Sequence, residues 1–305
     1  MDSDRKAKSV VLSIHRILVP VAFADAGKGD HRHLLRQAAW LARRFHAEII
    51  VLHVVPPLSY PAGAFEGGHE ITARDLHSHI IQRAQEDLDR ALLPEFDGIT
   101  VTRLLLRGDP AREIGETARN RNVDLIVMPT HGHGAFYRLL LGSVTAKVLH
   151  ETQCPVWTGA HLEEAPPAEF SVRHVLCAVE LNLHNRHTVS RAAAMAVAVD
   201  ASLTLVHITG SVEVYGPGGP RVDPIWKEKI VGFASEEIAT LQRELGTNAE
   251  VIIDSGNVPE LLNLAARETK ADVLVIGHIP GRSHLGDNGN GYGIIRQSVI
   301  PVLSL

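Results

Sequence analysis

Asp124-Leu125-Ile126-Val127-Met128-Pro129-Thr130-His131-Gly132-His133-Gly134, continued by Arg138-Leu139-Leu140-Leu141-Gly142-Ser143-Val144, is the stretch on which the fold of this chain turns. Residues 124–128 are apolar after the aspartate, which predicts a short strand buried on both faces, as strands of parallel sheets are. Gly132 and Gly134 predict a loop. Gly142-Ser143 then predicts a helix start, with Ser143 placed to cap it. A strand, a glycine loop and a fresh helix N-terminus make an anion site, because unpaired N–H groups and the helix dipole converge there.

The flanking sequence alternates between strand and helix patterns. Ile17-Leu18-Val19-Pro20-Val21 and Ile49 to Val55 read as strands one and two. Between them Leu34, Ala38, Leu41, Ala42 and Phe45 recur at helical spacing. Ile81, Ala84, Leu88 and Ala91 mark a second helix, closed by Pro94, and Thr100 to Leu106 a third strand. Asp109 then reads as an N-cap, with Pro110 in the first turn of a helix reaching Arg119. A last strand begins at Cys154-Pro155-Val156. Strands alternating with helices imply a parallel sheet covered on both faces.

The same order recurs. Val175-Leu176-Cys177-Ala178-Val179 answers Ile17 to Val21, 158 positions on; His207 answers His53 at 154, Asp272 answers Asp124 at 148, and Ile300 answers Cys154 at 146. A steadily falling offset means one unit duplicated with shorter connections, each copy a complete five-strand unit. The expected division is residues 1–161, a linker over 162–170 containing Glu163-Glu164-Ala165-Pro166-Pro167, and residues 171–305. In such sheets ligands sit beyond the carboxyl ends of the strands where the strand order reverses. With the order 3-2-1-4-5, Pro20-Val21-Ala22 would lie beside Pro129-Thr130-His131-Gly132.

Composition excludes several classes. The 305 residues are 45% hydrophobic and 21% charged, with a formal net charge of -5 and no basic run beyond Arg5-Lys6-Lys8. That argues against nucleic acid as a partner. No apolar run has the length of a membrane span, and Met1-Asp2-Ser3-Asp4 lacks a signal peptide's basic-then-apolar order. Cys154 and Cys177 lie apart without a CxxC spacing, as reduced thiols do, so the expected location is cytoplasmic. The 18 histidines include His31-His33, His77-His79 and His131-His133, but residues two apart on a helix diverge and no third ligand accompanies a pair, so no metal site is expected. There is no Walker lysine, no GxGxxG and no GxSxG elbow, so no catalytic residue is expected either.

These motifs resemble the universal stress protein family across nearly the whole chain, in both copies. The family pattern is a strand-one Ile-Leu-Val-Pro-Val-Asp, a His-Val ending strand two, a Gly-Asp-Pro before helix three, and a loop of Gly, two residues, Gly, nine residues, Gly, then Ser or Thr. Gly132, nine residues to Leu141, and Gly142-Ser143-Val144 reproduce most of the last. The resemblance implies α/β architecture in two tandem flavodoxin-like, doubly wound domains of five parallel strands. For the family's ATP-binding branch it also implies ATP, alone or with Mg²⁺, acting as a state signal in stress response. Phosphates would lie against Gly132, Gly142, Ser143 and Val144, and adenosine near Val21, Val54 and Met128. The wider candidate set adds Pro20, Ala22, Pro129, Thr130 and His131.

The departures define the alternative. Pro129 stands where the family has its first Gly, which removes a donor and fixes φ. Ala22 stands where it has the strand-one Asp. One hydrogen bond is worth about 0.5–1.5 kcal/mol net, so such losses weaken a site rather than abolish it. In the second copy Glu180 holds the acid position and Gly277 the first Gly position, Pro280 replaces the second Gly, and Asp287-Asn288-Gly289-Asn290-Gly291-Tyr292-Gly293 replaces the Gly-Ser helix start. That copy is expected to be a structural partner that does not bind ATP. The competing reading is a scaffold whose two sites are both degenerate, docking an unknown protein partner. The family's pairing through the last strand further implies an internal pseudo-dimer, with strands around Val156 and Val302 side by side, and leaves room for a homodimer of whole chains.

Overall fold

The computed structural model describes residues 12–22, 32–57, 73–90, 95–130, 141–160, 169–181, 185–209, 213–216, 219–222, 224–277 and 291–305. Two compact units divide the chain, one of Ile14–Val156 with Pro167–Phe170 and the other of Ser171–Leu305 with Trp157–Pro166 and the residues before Ile14.

The first sequence repeat runs β1 (Arg16–Pro20), α1 (Arg32–Phe45), β2 (Glu48–Val55), α2 (Ala73–Arg90), β3 (Val101–Arg107), α3 (Pro110–Asn120), β4 (Leu125–Met128), α4 (Ser143–Glu151) and β5 (Val156–Thr158). Its strands are arranged β3-β2-β1-β4-β5. β1 pairs in parallel with β2 from Arg16↔Glu48 to Pro20↔Leu52, and with β4 through Ile17↔Leu125 and Leu18↔Ile126. The chain therefore winds outward in both directions from β1, and the order reverses between β1 and β4. Ile17, Leu18, Val19, Ile49, Ile50, Val51, Ile126 and Val127 are buried at or below 1% exposure, which is why these strands are apolar on both faces rather than alternating. α1 turns Leu34, Ala38, Leu41 and Ala42 onto the sheet and leaves Arg43 and Arg44 in water. Phe170, at the end of the expected linker, packs edge-on against Trp40 of α1 with ring centroids 5.5 Å apart.

The second unit repeats the plan with β6 (His174–Ala178), α5 (Asn185–Val199), β7 (Ser202–Thr209), α6 (Pro224–Leu245), β10 (Glu250–Ser255), α7 (Val258–Thr269), β11 (Val273–Ile276), α8 (Gly291–Gln297) and β12 (Val302–Ser304), its strands in the order β10-β7-β6-β11-β12. One element has no forecast in the sequence pattern. Between β7 and α6 an antiparallel hairpin of β8 (Glu213–Gly216) and β9 (Gly219–Val222) is inserted.

The duplication extends to backbone detail. His46 after α1 and Asp200 after α5 are left-handed (φ 54° and 59°), as are Asn122 after α3 and Lys270 at the end of α7 (φ 50° and 54°). Gly108 and Gly256 share φ near 150°, a backbone conformation that residues with a Cβ rarely adopt. The side chain of Asp109 accepts from Arg112 N–H, as forecast, and Asn257 does the same for Glu260 N–H.

Three forecasts are corrected. Asp124 and Asp272 precede their strands instead of opening them. The Asp124 carboxylate accepts the N–H groups of His15 (2.7 Å) and Arg16 (3.0 Å), and that of Asp272 accepts those of Arg173 and His174 (2.7 and 2.9 Å). The last strands begin at Val156 and Val302, after Pro155 and Pro301, whose missing N–H cannot enter a ladder; their carbonyls still accept from Ile126 and Leu274, both at 2.9 Å. The third strand is shifted one residue, to Val101–Arg107.

Candidate functional site

The reversal between β1 and β4 gathers the chemistry of the first unit at the carboxyl ends of those strands. Pro20 ends β1; Val21 follows half-buried, and its N–H donates to Leu52 of β2 at 2.9 Å. Ala22 is exposed, so the strand-one acid position ends at the surface with a methyl group. On the other side Met128 ends β4, Pro129 is half-buried, and Thr130 is buried at 2% exposure.

α4 opens directly against this exit. Gly142 is its N-cap residue (φ -58°, ψ 140°) and makes no side-chain cap hydrogen bond. The expected cap, Ser143, is instead the exposed first residue inside the helix. Glycine tolerates the cap position because its carbonyl alone suffices to start the ladder, and that carbonyl accepts from Ala146 N–H at 2.8 Å. The consequence is chemical: Gly142 offers the first-turn N–H groups no side-chain acceptor of its own, and the positive end of the helix dipole faces the crevice.

Two hydrogen bonds tie the exit of β4 to this first turn. Gly142 N–H donates to Thr130 O at 2.8 Å, and the Thr145 hydroxyl donates to Pro129 O at 2.9 Å. Thr145 is 3% exposed and was not among the forecast site residues. Its signal was available as the third residue of Ser143-Val144-Thr145, a hydroxyl in a first turn where few helix carbonyls lie within reach.

Of the residues forecast to hold adenosine, Val21 is half-buried at the crevice, whereas Val54 (8% exposed) and Met128 (3%) belong to the core, where they can form a floor but present little surface. Val144 is half-buried one position into α4. His131 and Gly132 lie outside the described residues, as do His133 and Gly134. The structure thus brings Pro20, Val21, Pro129, Thr130, Gly142, Ser143 and Val144 to one end of the sheet.

His53 contributes from β2. Its Nδ1 lies 2.8 Å from Val21 O, and the equivalent His207 Nδ1 lies 2.7 Å from Val179 O. A carbonyl only accepts, so each ring carries its proton on Nδ1. The repeated histidines therefore hold the strand-one exit in both units.

From α4, Lys147 Nζ approaches the Asp109 carboxylate at 3.3 Å. The Arg112 N–H and then Lys147 hold the Asp109 carboxyl below its ordinary value of 3.8. Both groups are exposed, so the pair adds little to stability. No group of three or more His, Cys, Asp or Glu suited to a metal occurs among the described residues.

The second unit differs where the sequence departs from the loop pattern. A Cβ on Gly277, just beyond β11, would lie 2.9 Å from Thr188 Oγ1 of α5. This glycine lets a helix approach the strand exit, which is a packing role. α8 spans only Gly291–Gln297 and carries no serine or threonine.

The fold and this crevice define a duplicated, doubly wound α/β protein with a crevice at the strand-order reversal of its first repeat. The profile of the universal stress protein family matches the chain twice, over residues 13–158 and 171–303. The chain belongs to that family, as a tandem member. It is 31% identical over 142 residues to a universal stress protein of Methanocaldococcus jannaschii, a match covering 46% of this chain and 79% of that one. It is 34% identical over 114 residues to one of Methanothermobacter thermautotrophicus, covering 36% and 74%. The crystal structure of a universal stress protein from Archaeoglobus fulgidus shares its fold over 95% of this chain and 97% of that chain, with a TM-score of 0.66 at 19% identity. No helix among the described residues is long and apolar enough to cross a membrane.

Proposed function

We propose that the first unit binds an adenine nucleotide, ATP alone or with Mg²⁺, and that the chain acts in a cytoplasmic stress response as a nucleotide-dependent signalling or interaction protein. The observation that carries this reading is the uncapped N-terminus of α4 at Gly142, opening beside the exits of β1 and β4. An anion gains there from the dipole and from the first-turn N–H groups, which the cap residue itself does not engage with a side chain. Phosphates would rest on Gly142, Ser143 and Val144, with Val21 at the adenosine side. We assign no catalytic role: the crevice offers no paired nucleophile and base among the described residues, and nucleotide would be read rather than turned over. The second unit serves as the structural partner, because Thr188 closes on Gly277 and α8 lacks the Gly-Ser start.

A scaffold with no nucleotide is the second reading, favoured by the methyl group of Ala22 and by the N–H that Pro129 lacks. Heat-denaturing the purified, undialysed protein and resolving the supernatant by ion exchange separates the two. The first reading expects an adenine nucleotide, or, from emptied protein, binding heat on titration with ATP and Mg²⁺. Gly142→Glu with Ser143→Ala should remove that binding and leave the thermal transition in place. No nucleotide and no heat with the wild-type chain would leave the scaffold.

A further inference from the structure

We propose that Thr145 is a positioning residue of the nucleotide site: its hydroxyl locks the exit of β4 onto the first turn of α4, so that the phosphate-facing N–H groups stand in place before a ligand arrives. The inference rests on the nucleotide reading above and assigns a residue that the loop pattern does not include.

The geometry is specific. Thr145 is the third residue of α4, 3% exposed, and donates across 16 residues of sequence to Pro129 O at 2.9 Å. Within a helix a threonine hydroxyl ordinarily turns to a carbonyl three or four residues back. Here it leaves its own helix and satisfies the strand exit. Pro129 makes that exit unusual, because a proline fixes φ and supplies no N–H of its own, leaving the carbonyl as its one backbone polar group. The neighbouring bond from Gly142 N–H to Thr130 O, 2.8 Å, gives a second tie between the same two segments. One tie permits a hinge; two ties three residues apart on α4 fix both the position and the direction of its axis relative to β4.

Orientation matters because dipole and N–H contacts fall off within the first turn. A helix start that must first be ordered binds more weakly by the cost of ordering it. The second unit supplies a contrast within the chain: α8 has no serine or threonine to make this tie, and it is also the unit without the Gly-Ser start.

The test uses the full-length chain, with Thr145→Val and Thr145→Ser beside the wild type, titrated calorimetrically with ATP and Mg²⁺ well below the thermal transition. Valine keeps the shape and deletes the donor; serine keeps the donor. The expected result is about tenfold weaker binding for valine, the upper end of one hydrogen bond, and binding within about twofold of wild type for serine. Amide exchange at Gly142 in the nucleotide-free protein should quicken in the valine variant and not in the serine variant. If the valine chain fails to fold, Thr145→Cys, a weak donor of similar size, should bind between the two. Equal affinity in wild type and the valine variant, or serine as weak as valine, overturns this inference alone. A wild-type chain that takes up no ATP overturns the nucleotide reading and this inference with it.

Discussion

Asp124→Ala tests how the core strands of the first unit are held in register. One carboxylate oxygen, Oδ2, accepts both the His15 and Arg16 N–H groups, at 2.7 and 3.0 Å, just where β1 begins. A hydrogen bond to a charged group is worth about 1.5–3 kcal/mol, so two would sum to at most about 6. The side chain of Asp124 is 34% exposed, and water can replace the acceptor at the exposed His15. Only the half-buried Arg16 donor stands to lose most of its bond, which brings the expectation to about 2–3 kcal/mol. Asp124→Asn keeps a carbonyl able to accept both bonds and should cost about 1 kcal/mol, the difference between charged and neutral acceptors. Urea denaturation of the full chain followed by circular dichroism reads both, with an unchanged slope showing that the two end states are the same. Asp272→Ala is the internal replicate, since its Oδ2 holds Arg173 and His174 in the second unit. Asparagine as damaging as alanine, or an alanine cost below about 0.5 kcal/mol in both units, would refute the assignment of stability to these bonds.

Two further outcomes follow from the titrating groups. Asp109 is depressed in the folded chain by Arg112 N–H and Lys147, so its contribution is present above the ordinary value of 3.8 and lost as pH falls below it; the stability gap between wild type and Asp109→Asn should therefore close under acid, and a gap constant from pH 6 to strong acid would contradict the pairing. Burial pushes the Cys177 thiol up to about 12 from 9.0, so the folded chain keeps it neutral while the unfolded chain ionises. Its contribution is complete below pH 9 and declines as pH rises toward the folded value. At pH 8 a thiol reagent should leave Cys177 unmodified until denaturant is added, and rapid labelling of Cys177 in the native chain would show the site to be open.

What the sequence determined by itself was everything governed by local period and repetition. Unbroken apolar runs such as Ile17-Leu18-Val19 and Leu125 to Met128 mark strands covered on both faces, and helical spacing from Leu34 to Ala42 marks a cover. Gly108-Asp109-Pro110 carries its own stereochemistry, which is why α3 begins where it was expected to. Repetition at falling offsets made the duplication legible, and with it the family. Tertiary structure decided whatever depends on partners distant in sequence. Asp124 reads as the first residue of a strand, yet its carboxylate serves β1, more than a hundred residues earlier. Ser143 reads as a cap from its residue type, but the cap is Gly142, because the exit of β4 captures the Gly142 N–H and leaves serine inside the helix. Val54 and Met128 share the apolar character of a ligand wall, and only packing makes them core. The tie from Thr145 to Pro129 joins a helix to a strand across a loop, and no periodic pattern records it, since a hydrogen bond between distant segments leaves no spacing in the chain.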